Sequence, residues 1–268
     1  PGWPEAGGLL VPGLRLVFTN REGGVSHPPF QALNLAYHTG DDPRAVAANR
    51  AILAKSLGLE ERRIVFPEQA HGMRVSWVSA RSGGGATPGE ESLRDTDGLL
   101  CGEEGLALAV LTADCVPIAL CYPEGNLVAL LHAGWRGTMG DIVGNACRLV
   151  EKDTGLRPHE ARVVMGPSIG PCCYEVDEGR ARSFVERYGE DTGVARWREG
   201  WSLDLRRANL LNMLRCGIRE ENVFEVGGCT CCDPGYFSYR REGVTGRQGA
   251  FLWIDEHWRR TEEERGHA

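Results

Sequence analysis

Three runs rich in Val, Ile and Leu follow one another at residues 106–112, 117–122 and 127–132, separated only by short breaks. Runs of this length suit strands, and such breaks leave room for tight turns but not for the crossover that parallel neighbours need. Antiparallel neighbours are therefore expected here. Further short apolar runs, each bounded by Gly, Pro, Asp or Asn, lie at 14–19, 63–66, 75–78, 162–165, 223–226 and 251–254, again at strand length. Strict alternation of strand and helix is absent, which favours a mixed-sheet α+β fold over a Rossmann fold.

Helix signals occur in four places. Asp42-Pro43 reads as N-cap and first helical residue, and Val46, Ile52, Leu53 and Leu57 form an apolar face ending at Gly58. A second helix is expected from about 139 to 152, with Gly155 just beyond it. Asp177 caps a third that runs through Phe184 to Tyr188 and stops at Gly189, and Asp204 caps a fourth that ends at Gly217. The glycine-rich stretch 79–95 reads as a surface loop and 257–268 as a frayed tail. At about 150 residues per domain, 268 residues leave one or two domains open. No linker is visible, so one domain over 1–268, with its core at about 14–254, is expected.

Thirty Lys and Arg against thirty-seven Asp and Glu leave a net charge of −7, so no global field gathers nucleic acid or anionic lipid. No apolar run approaches the roughly 18 residues of a membrane span, and the first residues lack the basic-then-apolar order of a signal peptide. A cytoplasmic protein, monomeric or homodimeric, is expected. In that reducing setting the ten Cys suit buried thiols, metal ligands or nucleophiles better than disulfides.

Three segments place a His or Cys where an apolar run meets a small-residue turn: Glu68-Gln69-Ala70-His71-Gly72, Thr112-Ala113-Asp114-Cys115-Val116-Pro117 and Leu131-His132-Ala133-Gly134-Trp135-Arg136-Gly137. A thiolate and two imidazoles, His71, Cys115 and His132, suit Zn²⁺, and three protein ligands leave a fourth position for water or substrate. Asp114 is a candidate to orient a ligand or act as general base. A metal-free Cys115–His132 nucleophilic pair is the alternative, but a dyad has no use for His71.

These segments, together with Gly166-Pro167-Ser168-Ile169-Gly170, Tyr174-Glu175-Val176, Phe237-Ser238-Tyr239-Arg240-Arg241 and the N-terminal Asn34-Leu35-Ala36, Gly40-Asp41-Asp42 and Asn49-Arg50, resemble the successive motifs of the laccase-domain, or YfiH-like, proteins. The resemblance runs in order from about 14 to 254. It implies a single α+β domain with a sandwich-like core and flanking helices, similar to a Cys–His toxin domain. It also implies zinc on His71, Cys115 and His132. The activities it implies are phosphorolysis of adenosine, inosine or methylthioadenosine, and deamination of adenosine; one subgroup is linked to editing of peptidoglycan precursors.

The family is often labelled multicopper polyphenol oxidase, and a copper ion could replace zinc at a His₂Cys site. The three-copper cluster of such an oxidase, however, is built from His-x-His pairs, and this sequence has none. A purine nucleoside fits the parts better. In the zinc deaminases an activated water attacks the purine C6 with a carboxylic acid shuttling protons, a role open to Asp114 or Glu175. Phosphorolysis needs planar cationic donors for phosphate, and the candidates are Arg50, Arg136, Arg240 and Arg241. Asn34 and Gln69 offer amides for base or ribose, and Trp135 and Tyr174 offer rings for stacking or core packing. The Cys229-x-x-Cys232 spacing could hold a structural zinc with help from Cys172 or Cys173. Both clusters nonetheless read as buried thiols, because adjacent cysteines do not easily aim both sulfurs at one ion, with a disulfide in an oxidised preparation as the lesser alternative. Cys101, Cys121, Cys147 and Cys216 read as core. A non-catalytic binding domain, in which the metal only ties strands together, also remains open.

Overall fold

The computed structural model describes residues 2–82, 93–189, 193–197 and 200–255. The strands are β1 (Leu14–Phe18), β2 (Ile64–Val65), β3 (Val75–Trp77), β4 (Gly98–Cys101), β5 (Ala107–Thr112), β6 (Val116–Tyr122), β7 (Leu127–Ala133), β8 (Arg162–Met165), β9 (Glu175–Val176), β10 (Ala195–Trp197), β11 (Gly200–Ser202), β12 (Val223–Glu225) and β13 (Gln248–Ile254). The helices are α1 (Gly7–Leu10), α2 (Pro43–Leu57), α3 (Trp135–Met139), α4 (Ile142–Thr154), α5 (Glu178–Tyr188), α6 (Leu205–Cys216) and α7 (Tyr239–Glu242). Among the described residues no helix is long and apolar enough to cross a membrane.

The strands form a six-stranded sheet ordered β12-β8-β6-β7-β4-β3, a four-stranded sheet ordered β1-β13-β5-β2, and a small sheet β10-β11-β9. β6 and β7 make the expected antiparallel hairpin, from Tyr122–Leu127 at its turn to Val116–Ala133 at its open end. Asn126 takes a left-handed conformation in that turn, which an Asn tolerates. β5 departs from expectation. It pairs with β13 and β2 rather than with β6, so the break at 113–115 carries the chain from one sheet to the other.

The two larger sheets pack face to face between helices. Ile118, Leu120, Ala129 and Leu131 face Val143 and Val150 of α4, Phe184 of α5 and Met213 of α6. On the opposite face, Ala119, Cys121, Val128 and Leu130 meet Leu16, Leu108, Val110 and Leu252 of the four-stranded sheet. The far side of that sheet, with Val17, Ala109 and Phe251, is covered by Leu53 and Ala54 of α2. Strands buried on both faces read as continuous apolar runs rather than alternating ones.

The expected caps form locally. Asp42, Asp177 and Asp204 accept backbone N–H bonds at the starts of α2, α5 and α6, and Gly58, Gly155 and Gly217 end α2, α4 and α6 in left-handed conformations. The helix expected from 139 instead begins at Ile142. Asp141, itself left-handed, accepts from the Gly144 N–H and restarts the helix after α3. Residues 83–92 of the expected surface loop and the whole expected tail lie outside the described residues; residues 80–82 form a short 3₁₀ turn.

Candidate functional site

Two of the candidate ligands stand at the open end of the β6–β7 hairpin. His132 lies near the end of β7 opposite Pro117, and Cys115 immediately precedes β6. His132 is 2% exposed. Its Nδ1 donates to Asp97 Oδ1 at 2.8 Å, which directs the other ring nitrogen away from the carboxylate. Asp97, fully buried just ahead of β4, also accepts the N–H groups of Ala70 (3.1 Å), His71 (2.9 Å) and Gly72 (2.7 Å). One carboxylate therefore folds the turn at 70–72 around itself and orients the imidazole opposite. His71 is held in the left-handed region by this wrap, with φ of 59°, uncommon for a residue with a Cβ. Its ring meets that of His132 edge to face, 4.8 Å between centres.

The ligand atoms of His71, Cys115 and His132 all lie within 4.8 Å of one another. A Cβ at position 134 would come within 3.0 Å of Cys115 Sγ and 3.3 Å of the His71 ring, so Gly134 keeps that side clear. Burial works against a thiolate at Cys115, but the His132 charge and hydrogen bonds from His132 and His71 bring it down to about 6. Burial likewise opposes the imidazolium, yet Cys115 and Asp97 push His132 up to about 9. Two imidazoles and a soft thiolate converging on one cleared space, with one imidazole oriented by a carboxylate, fit the ligand chemistry of zinc with one position left open.

Asp114 shapes this corner from behind. Left-handed at φ of 100° and buried, it accepts the Thr230 hydroxyl at 2.8 Å and the Arg240 N–H at 2.7 Å. Its carboxylate ties the loops around Cys115 together. Arg240 stacks 5.0 Å from the Tyr174 ring centre and donates to the Cys173 and Glu175 carbonyls. Burial and the Cys115 charge raise the Tyr174 phenol. Glu175 is exposed and borders, with Arg240, Arg196 and Trp201, a cavity of about 500 Å³. Arg136 is exposed, and its guanidinium lies 4.4 Å from the Trp135 ring centre, as does that of Arg180.

Four other candidates are hydrogen-bonded within the fold. The Gln69 amide bonds both the N–H and the carbonyl of Leu111, extending the strand pairing of β5. The buried Asn34 amide donates to Ala36, Thr39 and Asp41 and accepts from Ala36 and Arg247. Arg50 is not a solvated helix charge: it is buried over Phe66, 3.8 Å from the ring centre, donates to the Leu35 carbonyl, and is lowered by burial to about 10. Arg241 donates to the Thr230, Cys231 and Asp233 carbonyls and closes the turn they form.

The sequence reading missed Asp97, Arg247 and His38. Thr96-Asp97-Gly98 before an apolar strand resembles any strand-entry turn, so nothing marks Asp97 locally. Burial lowers the Arg247 guanidinium while the charges of Cys115 and Asp114 raise it. His38 is lowered by burial and by Arg247 and His71. Cys101, Cys121 and Cys147 are buried and Cys216 partly so. Cys172 and Cys173, however, both approach Cys232, at 3.6 and 3.4 Å between sulfurs, and Cys172 and Cys232 are exposed, contrary to the expectation of buried thiols that cannot converge.

The fold of two packed sheets agrees with the comparisons to known proteins. The model of the family described as multi-copper polyphenol oxidoreductase laccase matches residues 15–255, and the chain belongs to that family. It is 38% identical to purine nucleoside phosphorylase YlmD of Geobacillus stearothermophilus over 264 residues, 96% of each chain. It is 38% identical to a purine nucleoside phosphorylase of Corynebacterium glutamicum, covering 90% of this chain and 94% of that one. The crystal structure of YlmD from Geobacillus stearothermophilus superposes with a TM-score of 0.91 at 36% identity, covering 96% of this chain and 97% of that one. That of the hypothetical protein YfiH from Bacillus licheniformis gives 0.86 at 33% identity, covering 90% and 93%.

Proposed function

We propose that this chain is a zinc-dependent purine nucleoside phosphorylase acting on adenosine, inosine and methylthioadenosine, and that the same site deaminates adenosine. The observation that carries the reading is the convergence of His71, Cys115 and His132 on one cleared space, in a chain whose relatives are named purine nucleoside phosphorylases. His71, Cys115 and His132 would hold the ion. Zinc held there would supply Lewis-acid polarisation.

The residues of the chain do the rest. Asp97 orients His132 and shapes the turn that presents His71. Arg136 and Arg240, each steadied against an aromatic ring, supply guanidiniums for phosphate. Phosphorolysis forms a bond from a phosphate oxygen to the sugar C1′ as the bond from C1′ to the purine nitrogen breaks, leaving ribose 1-phosphate and a base that takes up a proton. Glu175, which borders the cavity, would exchange that proton; Asp114, already bonded to Thr230 and Arg240, acts as a positioning residue. Oxidation of phenols by a copper cluster is disfavoured, since the chain lacks the His-x-His pairs such a cluster requires.

The test is incubation of purified protein with inosine, adenosine or methylthioadenosine, with and without phosphate, followed by chromatography. Free base and ribose 1-phosphate (methylthioribose 1-phosphate from methylthioadenosine) are expected only with phosphate, and inosine from adenosine without it. Cys115→Ala should show neither. Absence of every product in the wild type, or the same yield from Cys115→Ala, overturns the reading.

A further inference from the structure

The second thiol group lies outside the machinery just described. Cys172 and Cys173 sit on a turn closed by N–H bonds from Cys173 and Tyr174 to the Gly170 carbonyl. Cys229 and Cys232 sit on a facing turn closed by N–H bonds from Cys232 and Asp233 to the Cys229 carbonyl. The four sulfurs lie within 4.8 Å of one another. A tetrahedral ion bound at a Zn–S distance of about 2.3 Å separates its sulfurs by about 3.8 Å, and the observed 3.4 and 3.6 Å contacts to Cys232 are close to that edge. The Gly170 N–H donates to Cys229 Sγ at 3.2 Å, as donors commonly do to metal-bound thiolates. A Cβ at 170 would press on Cys172 Sγ and Cys229 Cβ, both at 3.3 Å. Exposed Cys172 and Cys232 provide an entry path.

We propose that Cys172, Cys173, Cys229 and Cys232 form a second metal site, a tetrathiolate that takes one Zn²⁺ and staples the turn at 170–174 to the turn at 229–233. All-sulfur tetrahedral sites select zinc or iron–sulfur clusters, and sulfurs this close together enclose a single ion. Binding displaces the thiol protons and involves no redox step. The staple has a direct structural consequence. The first turn feeds Tyr174 and accepts Arg240 through the Cys173 carbonyl. The second is tied to Asp114 through Thr230 and closed by Arg241. Joining them fixes the wall beside Cys115.

The proposal does not need the activity assigned above; only the expected total of two ions counts the zinc of that reading, and the loss of one ion in Cys232→Ser does not. Metal analysis of reduced, gel-filtered wild type is expected to give two zinc ions per chain, and Cys232→Ser one. A second measurement covers failure of that variant to fold. The Cys115→Ala variant leaves no sulfur in the His/Cys/His group, so Co²⁺ titrated into its apo form should show intense near-ultraviolet thiolate-to-cobalt absorption from the four-Cys site alone. No such band in Cys115→Ala, a single zinc in the wild type that disappears with Cys115→Ala, or a disulfide joining Cys232 to Cys172 or Cys173 in freshly purified protein would each overturn the proposal.

Discussion

Cys115 and His132 stand where strands of a buried sheet meet a loop, with His71 on the turn wrapped around Asp97, whereas Cys172, Cys173, Cys229 and Cys232 stand on two facing surface turns. The first group mixes imidazole with thiol, has a buried carboxylate behind one imidazole and offers three ligands. The second is all sulfur and offers four, enough to close a tetrahedron around the proposed ion. Mounting on sheet ends limits how far a ligand can drift, which suits chemistry. Mounting on turns lets an ion draw two loops together, which suits structure. Asp114 and Arg240 connect the two regions, so each is expected to feel changes in the other.

Removing one ligand from each group gives the largest contrast. Cys115→Ala is expected to lower kcat/KM for phosphorolysis by at least about 10³-fold, from several kcal/mol of lost Lewis-acid stabilisation, with little change in Tm. Steady-state kinetics and a thermal melt check both, and comparable loss of Tm would blur the distinction. Next comes Asp97→Asn, which keeps the shape but weakens the orientation of His132. An effect of about 10–100-fold on zinc affinity or activity is expected, measured by competition with a chromophoric chelator, while the thiol turns keep their metal. Arg136→Gln should raise KM for phosphate about tenfold with kcat little changed, from loss of a charged hydrogen bond worth about 1.5 kcal/mol.

The smallest effect reaches the thiol region through a carboxylate. Burial raises Glu242, but hydrogen bonds from Thr245, Arg241 and Arg21 hold it below its ordinary range. A depressed carboxylate contributes stability at neutral pH that fades as pH falls through its lowered pKa. Glu242→Gln is expected to cost about 1 kcal/mol or less at pH 7 and to flatten the acid limb of stability. Urea titrations from pH 7 down to pH 3 check this; parallel wild-type and variant curves would exclude the linkage.

Much of this was legible in the residues. The His/Cys/His set stood out because each member sits where an apolar run meets small residues, and the β6–β7 hairpin followed from spacing. Asp97 was not legible, because what makes it matter is its approach to His132 and to the turn at 70–72, far along the chain. Asn34, Gln69, Arg50 and Arg241 looked like ligand contacts since their side chains are rich in donors. The fold spends those donors on backbone carbonyls at Ala36, Leu111, Leu35 and Thr230, and unsatisfied backbone groups inside a protein are costly. The convergence of adjacent Cys172 and Cys173 on Cys232 likewise depends on a facing turn that spacing cannot reveal.

Sequence alone determined what rests on neighbours within a few residues: the Asp caps of α2, α5 and α6, the left-handed glycines that end α2 and α6, and the hairpin turn at Asn126. Tertiary structure alone decided that β5 leaves β6 for the four-stranded sheet, that one buried carboxylate holds both the His132 ring and the turn of His71, and that four cysteines from two distant turns meet. Caps and turns are satisfied by local hydrogen bonds, so their residues announce them. A strand that is apolar on both faces pairs equally well on paper with any partner, and only packing the two sheets against each other selects one.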